Sequence, residues 1–161
     1  MKVCLSSRAY ASIIYECEEY FQDNLETGGV FLGLIENDTY YILEMIPPGY
    51  NSIHYENSFQ YDKEYLEYTS SRIAYIYKKK LKIIGIWHTH WNAPPVFSPP
   101  DIIMNQKFVE LCKGNIISAI VFNEGEKFNI VGYEVDSLIV ANSIPISIGD
   151  NEILENILYN V

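Results

Sequence analysis

Positive charge is what this sequence has least of. Eleven Lys and Arg stand against 21 Asp and Glu, a net charge of −10. A chain this acidic repels phosphate backbones, so nucleic acid is not an expected partner, while neutral or basic proteins are. The only basic cluster, Lys78-Lys79-Lys80, reads as the solvated end of a helix. Cysteine is sparse too. Cys4, Cys17 and Cys112 are odd in number and widely scattered, which argues against a disulfide framework or a second metal site and reads as reduced thiols in a cytoplasmic protein. No apolar run reaches membrane-spanning length, and residues 1–8 lack the apolar centre of a signal peptide. Linkers, repeats and low-complexity tracts are missing as well. At 161 residues the expectation is one domain, able to bury about two-thirds of its unfolded surface.

Of seven prolines, four fall between Asn92 and Pro100. That density excludes a helix or a central strand there, and the flanks are informative. Upstream, residues 81–87 form an apolar, β-branched run that reads as a buried strand leading into His88-Thr89-His90. Side chains alternate along a strand, so His88 and His90 project to one face and can reach one ion. Downstream, residues 101–113 carry apolar Ile102, Ile103, Phe108, Val109 and Leu111, an amphipathic helix expected to stop at Gly114. Asp101 then sits in the first turn of that helix. Ser98-Pro99-Pro100-Asp101 is in its own right a good helix start, with Ser98 as cap and an acid at the third position. Capping and metal binding are compatible, because a carboxylate has two oxygens. His-x-His followed by Ser-x-x-Asp thus offers three protein ligands, His88, His90 and Asp101, with one position open, the arrangement of a catalytic zinc site.

Hydrolysis also needs a base. Glu26 stands in Leu25-Glu26-Thr27-Gly28-Gly29-Val30-Phe31-Leu32-Gly33, where polar chain gives way to an apolar strand, and paired glycines allow close backbone approach. A carboxylate placed there can take a proton from water and pass it to a leaving amine.

The segment from Glu26 to Gly33, followed by His88-Thr89-His90 and Ser98-Pro99-Pro100-Asp101, resembles the JAMM motif of the MPN/JAB metalloprotease family, with every coordinating or charged position at its usual spacing. The resemblance is strong over residues 25–114 and extends, more weakly, to the whole chain. It implies an α/β, cytidine-deaminase-like single domain built around zinc (Zn2+) held by His88, His90 and Asp101. It also implies that Glu26 activates the water and that Ser98 helps hold the oxyanion. The implied substrate is the C-terminal tail of a ubiquitin-like protein, cut after its last glycine. Among bacterial members the implied partners are E1/E2-like conjugation proteins, antiphage systems included. A peptidase acting on a β-grasp sulfur-carrier protein would use the same five residues. A noncatalytic scaffold would not need them, and scaffold members typically lack a histidine or the aspartate. Trp91 and the paired prolines are mild departures, expected to narrow the groove and stiffen the loop bearing Ser98.

Elsewhere the patterning predicts helices over residues 7–23, 59–80 and 150–159, the last with apolar Ile153, Leu154, Ile157 and Leu158. Hairpins are predicted from 30–35 with 40–46 and from 115–122 with 128–135, a loop over 47–57, and a further strand over 138–148. Helices mixed with antiparallel hairpins give a curved, mixed, mostly antiparallel β-sheet flanked by helices. The chain has 14 tyrosines. Most are expected to pack at helix–sheet boundaries with hydroxyls toward water. Tyr50, Tyr55 and Phe59 are singled out as candidates for substrate contact, and the lone His54 is read as an exposed loop residue.

Overall fold

The structure, a computed structural model, describes residues 1–159, with side chains through Ile157. The chain opens on strand β1 (Lys2–Leu5) and helix α1 (Ser7–Phe21), whose cap Ser6 accepts from the Ala9 N–H and donates to the Leu43 carbonyl. Strands β2 (Gly28–Glu36) and β3 (Thr39–Ile46) form the first hairpin. A short ribbon, β4 (Ile53–His54) with β5 (Phe59–Gln60), precedes α2 (Lys63–Ile76). Then come β6 (Lys82–His90), α3 (Pro99–Cys112), β7 (Ile116–Glu124), β8 (Lys127–Val135), β9 (Ala141–Ile144), β10 (Ile146–Ile148) and α4 (Glu152–Tyr159).

Eight strands form one mixed sheet in the order β10-β1-β3-β2-β6-β7-β8-β9. The pairs β1–β10, β1–β3 and β6–β7 are parallel, and β2–β3, β2–β6, β7–β8 and β8–β9 antiparallel. The two edge strands are separated in sequence by Pro145 alone, so the edges meet there and the sheet nearly closes on itself. Gly132 of β8 shows the closeness: a Cβ there would lie 2.7 Å from the Ile146 side chain of β10.

Alternation along the strands splits the core in two. One set, with Val3, Phe31, Ile42, Trp87 and Ile117, packs under Ala9, Ile13 and Cys17 of α1. The other, with Val30, Leu32, Ile86 and Ile116, packs under Phe108 and Val109 of α3, Leu66 and Ile73 of α2, and Leu154 of α4. Antiparallel β2 and parallel β7 flank β6, which puts the histidine strand mid-sheet. Helix α3 is the crossover between parallel β6 and β7, so its N-terminus returns to the end of β6 where the histidines lie.

Several predicted elements shift. Residues 2–5, not predicted as a strand, pair in parallel on both sides, with β3 and β10. The predicted helix at 59–80 begins only at Lys63, because the Asp62 carboxylate accepts the Tyr65 N–H and caps it, while Phe59 stays extended in β5. It ends at Ile76, with Lys78 and Lys79 at positive φ. The strand predicted over 138–148 begins only at Ala141 and is two strands, Ala141–Ile144 and Ile146–Ile148, broken at Pro145. On α3 the expected apolar face is only half right: Phe108 and Val109 are buried with Asn105, whereas Ile102, Ile103 and Leu111 are exposed. The Leu158 side chain lies outside the described residues. Among the described residues no helix is long and apolar enough to cross a membrane.

Candidate metal centre

The Nε2 atoms of His88 and His90 lie 3.1 Å apart, and Asp101 Oδ2 is 3.3 Å from the first and 3.1 Å from the second. Each of these three separations is close to the edge of a tetrahedron, about 3.4 Å, for zinc–ligand distances of about 2.0–2.1 Å. Three donors on so small a triangle leave room for one shared proton or one cation. The structure brings all three together, their donor atoms within 4.8 Å of one another.

Each donor is aimed by its surroundings. His90 Nδ1 lies 2.9 Å from the Pro94 carbonyl oxygen. A carbonyl only accepts, so Nδ1 carries a hydrogen and it is Nε2, once it gives up its own proton, that would present a lone pair to the triangle, the tautomer a metal needs. The proline-rich loop therefore orients a ligand as well as connecting two elements. Asp101 lies in the first turn of α3 and its Oδ2 accepts the Ser98 N–H at 2.7 Å. Burial pushes its pKa up, but hydrogen bonds from His88, His90 and the Ser98 backbone prevail and hold it far below the usual carboxylate range. Burial lowers the His90 pKa, yet hydrogen bonds to Asp101 and Pro94 and the Asp101 charge outweigh it and raise the pKa above its ordinary value.

Glu26 arrives through strand register. Gly28 pairs with His88 across β2 and β6, and the Thr89 N–H donates to the Thr27 carbonyl. Continuing that pairing sets Glu26 opposite His90, on the same face of the sheet. Glu26, His88 and Asp101 line one cavity of about 50 Å3, whose walls include Phe59, Tyr61 and Met104. Burial raises the Glu26 pKa to about 7, with the His90 charge opposing and the Asp101 charge reinforcing the shift. A carboxyl near 7 is matched to taking and returning a proton near neutral pH. The paired glycines are needed at this point. A Cβ on Gly28 would lie 2.3 Å from the Trp87 carbonyl oxygen and 2.5 Å from the Phe59 ring, and one on Gly29 would lie 2.5 Å from Trp87 Nε1.

Ser98 caps α3. Its Oγ accepts the Asp101 N–H at 3.4 Å, completing a reciprocal capping box with the Asp101 carboxylate. The bond is long, so Ser98→Ala is expected to cost about 1 kcal/mol in urea unfolding. Metal should be retained, because the Ser98 N–H that holds Asp101 belongs to the backbone.

Two expectations, those for Trp91 and His54, are corrected. Trp91 does not narrow the groove: alternation turns it to the opposite face from His90, where it is buried, donates to the Leu25 carbonyl and packs on Phe21 and Phe128. Of the aromatics singled out, Phe59 lines the cavity, whereas Tyr50 is 94% exposed and packs edge-on against Tyr65; Tyr55 contributes its carbonyl to the Glu26 N–H. His54 is not a free loop histidine. Its ring is half-buried, stacked on Tyr20, and bonded to the Glu26 carbonyl. The available signal was the histidine count: the chain has three, and the other two belong to the site.

Fold and site together define an α/β domain carrying a His-His-Asp triangle with the spacing to hold a metal ion, beside an acid. Residues 6–131 match the family described as prokaryotic homologs of the JAB domain, and the chain belongs to that family. The fold is similar to the solution structure of protein DSY2949 from Desulfitobacterium hafniense, with a TM-score of 0.68 and 13% sequence identity over 92% of this chain and 94% of that one. No curated protein matches the sequence significantly.

Proposed function

We propose that the chain is a zinc-dependent peptidase or isopeptidase that cuts after the C-terminal glycine of a ubiquitin-like protein, freeing it from a target or maturing its precursor. The observation that carries this reading is the convergence of His88, His90 and Asp101 in one buried triangle, with Glu26 opening into the same cavity. Bound by those three side chains, zinc would supply a Lewis acid that brings the pKa of water toward about 7. Glu26 takes the proton and returns it to the departing amine, which matters because an amine leaves poorly from an amide unless protonated. The Ser98 hydroxyl stands at the α3 N-terminus as a donor for the developing oxyanion, a role that Ser98→Ala would report as lost turnover with metal retained.

The shape of the site supports a slender substrate end. A cavity of about 50 Å3 admits little more than an extended glycine backbone. Beside it, a groove of about 560 Å3 between α2 and α3, lined by Leu66, Ile83 and Phe108, shares Phe59, Tyr61 and Met104 with that cavity. A tail lying in the groove would deliver its end to Glu26. We place the enzyme in a bacterial cytoplasm, beside E1/E2-like proteins in a conjugation pathway such as an antiphage system. A noncatalytic scaffold has no use for Glu26 aimed at an intact donor triangle. The test is cleavage of a fusion joining a ubiquitin-like domain, ending in Gly-Gly, to a reporter. Zinc-loaded protein should release the reporter and a chelator should abolish release. Uncut fusion with zinc bound would rule out this substrate class.

A further inference from the structure

His54 lies outside every motif, yet it touches the peptide that carries the expected base. Its Nδ1 is 2.8 Å from the Glu26 carbonyl oxygen and its Nε2 is 2.8 Å from Ser52 Oγ. The carbonyl can only accept, so Nδ1 bears the hydrogen in the neutral ring; Ser52 Oγ, beside Nε2, donates its own hydrogen to the Gly49 carbonyl at 2.6 Å. Burial lowers the imidazole pKa, which favours this neutral form. The ring is stacked on Tyr20 of α1, centroids 3.9 Å apart, and lies parallel to Phe59 at 6.2 Å. One residue further on, the Tyr55 carbonyl accepts the Glu26 N–H at 2.8 Å. Both backbone groups of Glu26 are thus held by the β4–β5 ribbon.

The next residue is held differently. The Thr27 N–H donates to Thr89 Oγ1, and the Thr27 carbonyl accepts the Thr89 N–H, both bonds to the histidine strand. The Glu26–Thr27 peptide is therefore a joint, tied on one side to the ribbon and on the other to β6. Rotation at that joint would swing the Glu26 carboxylate relative to the metal triangle.

We propose that His54 is a positioning residue for Glu26: its Nδ1–H, held in place by the Tyr20 stack, fixes the peptide from which the base projects and makes the base's placement depend on the β4–β5 ribbon. The proposal rests on the reading of Glu26 as base. A displacement of about 1 Å can cost two orders of magnitude in rate with little effect on binding, so the expected signature is in kcat rather than KM.

Two variants of the zinc-loaded chain separate the contributions. His54→Phe keeps an aromatic ring for Tyr20 but removes the donor. His54→Gln restores an N–H donor without the ring. His54→Phe should lower kcat on the Gly-Gly fusion by about 10- to 100-fold, with KM within about twofold and one zinc per chain, and His54→Gln should recover part of that loss. Two measurements do not depend on turnover. Ring-nitrogen NMR of the wild type should show neutral His54 protonated at Nδ1. Amide exchange at Glu26 should quicken about tenfold in His54→Phe while the β6 amides stay unchanged. Wild-type kcat in His54→Phe, or a His54 protonated at Nε2 alone, would overturn the proposal. If the wild-type protein cuts nothing, the peptidase reading fails, while the tautomer and the exchange rates still decide whether His54 holds the Glu26 peptide.

Discussion

Glu26→Gln should keep one zinc per chain and lose roughly 10²- to 10⁴-fold in turnover, the usual contribution of a positioned general base. The same substitution should make the metal-free protein more stable at pH 8, and the sign follows from burial. Glu26 is 8% exposed, and burial raises its pKa from an ordinary 4.5 to about 7. Below pH 4.5 the carboxyl is neutral in both folded and unfolded chains and costs nothing. As pH rises from there to 7 the unfolded chain ionises first, so stability drains away; above 7 the folded protein carries a buried charge. Glutamine removes that penalty, worth up to about 3 kcal/mol. Loading with metal should shrink the gain, since a cation beside Glu26 favours its ionised form. Calorimetry of both proteins at pH 5 and pH 8, with and without zinc, reads the effect. Equal melting temperatures at pH 8 without metal would show that Glu26 is not strained by burial, and wild-type turnover in Glu26→Gln would show that it is not the base.

That one residue should aid catalysis while weakening the fold explains why part of the site could be read from the sequence and part could not. His88 and His90 are two apart on a strand, Asp101 follows a capping Ser98 at helix spacing, and Glu26 precedes a Gly-Gly strand. Each is a local pattern with a local physical cause. The hairpins and most helices were legible for the same reason. What escaped depends on contacts distant in sequence. Lys2–Leu5 is a strand because β3 and β10 flank it. The near-closure at Pro145 needs both sheet edges in place. Ile102 and Ile103 look like a buried face, but α3 is turned by Asn105, whose Oδ1 accepts the buried Ser118 hydroxyl at 2.7 Å. Trp91 was misjudged because proximity to the histidines counted for more than the alternation of the strand. His54 was missed because its partners, Tyr20, Glu26 and Ser52, come from three separate segments.

The metal triangle should also impose a pH dependence that ordinary histidines would not. Without metal, Asp101 is ionised far below its usual range and His90 titrates above its usual 6.5. The depressed acid contributes stability above an ordinary 3.8, lost as pH falls further. The raised imidazole contributes stability below 6.5, lost as pH climbs through its folded value. The pair therefore stabilises the metal-free fold most in the mildly acidic range between, and cation binding takes over above it. Asp101→Asn should abolish this, costing about 3 kcal/mol near pH 6 because the buried His90–Asp101 pair is broken, and less near pH 8. Metal must displace the proton on His90, so wild-type affinity should fall about tenfold per pH unit below the His90 pKa. Asp101→Asn should bind more weakly and shift that fall to lower pH, since His90 loses the neighbour that raises it. His88→Ala, left with two donors, should lose its metal on dialysis. Zinc titrations from pH 5.5 to 8, with elemental analysis of the dialysed variants, check all three. Affinity flat across that range, or tight stoichiometric zinc in Asp101→Asn, would mean that the cation is held somewhere other than between these side chains.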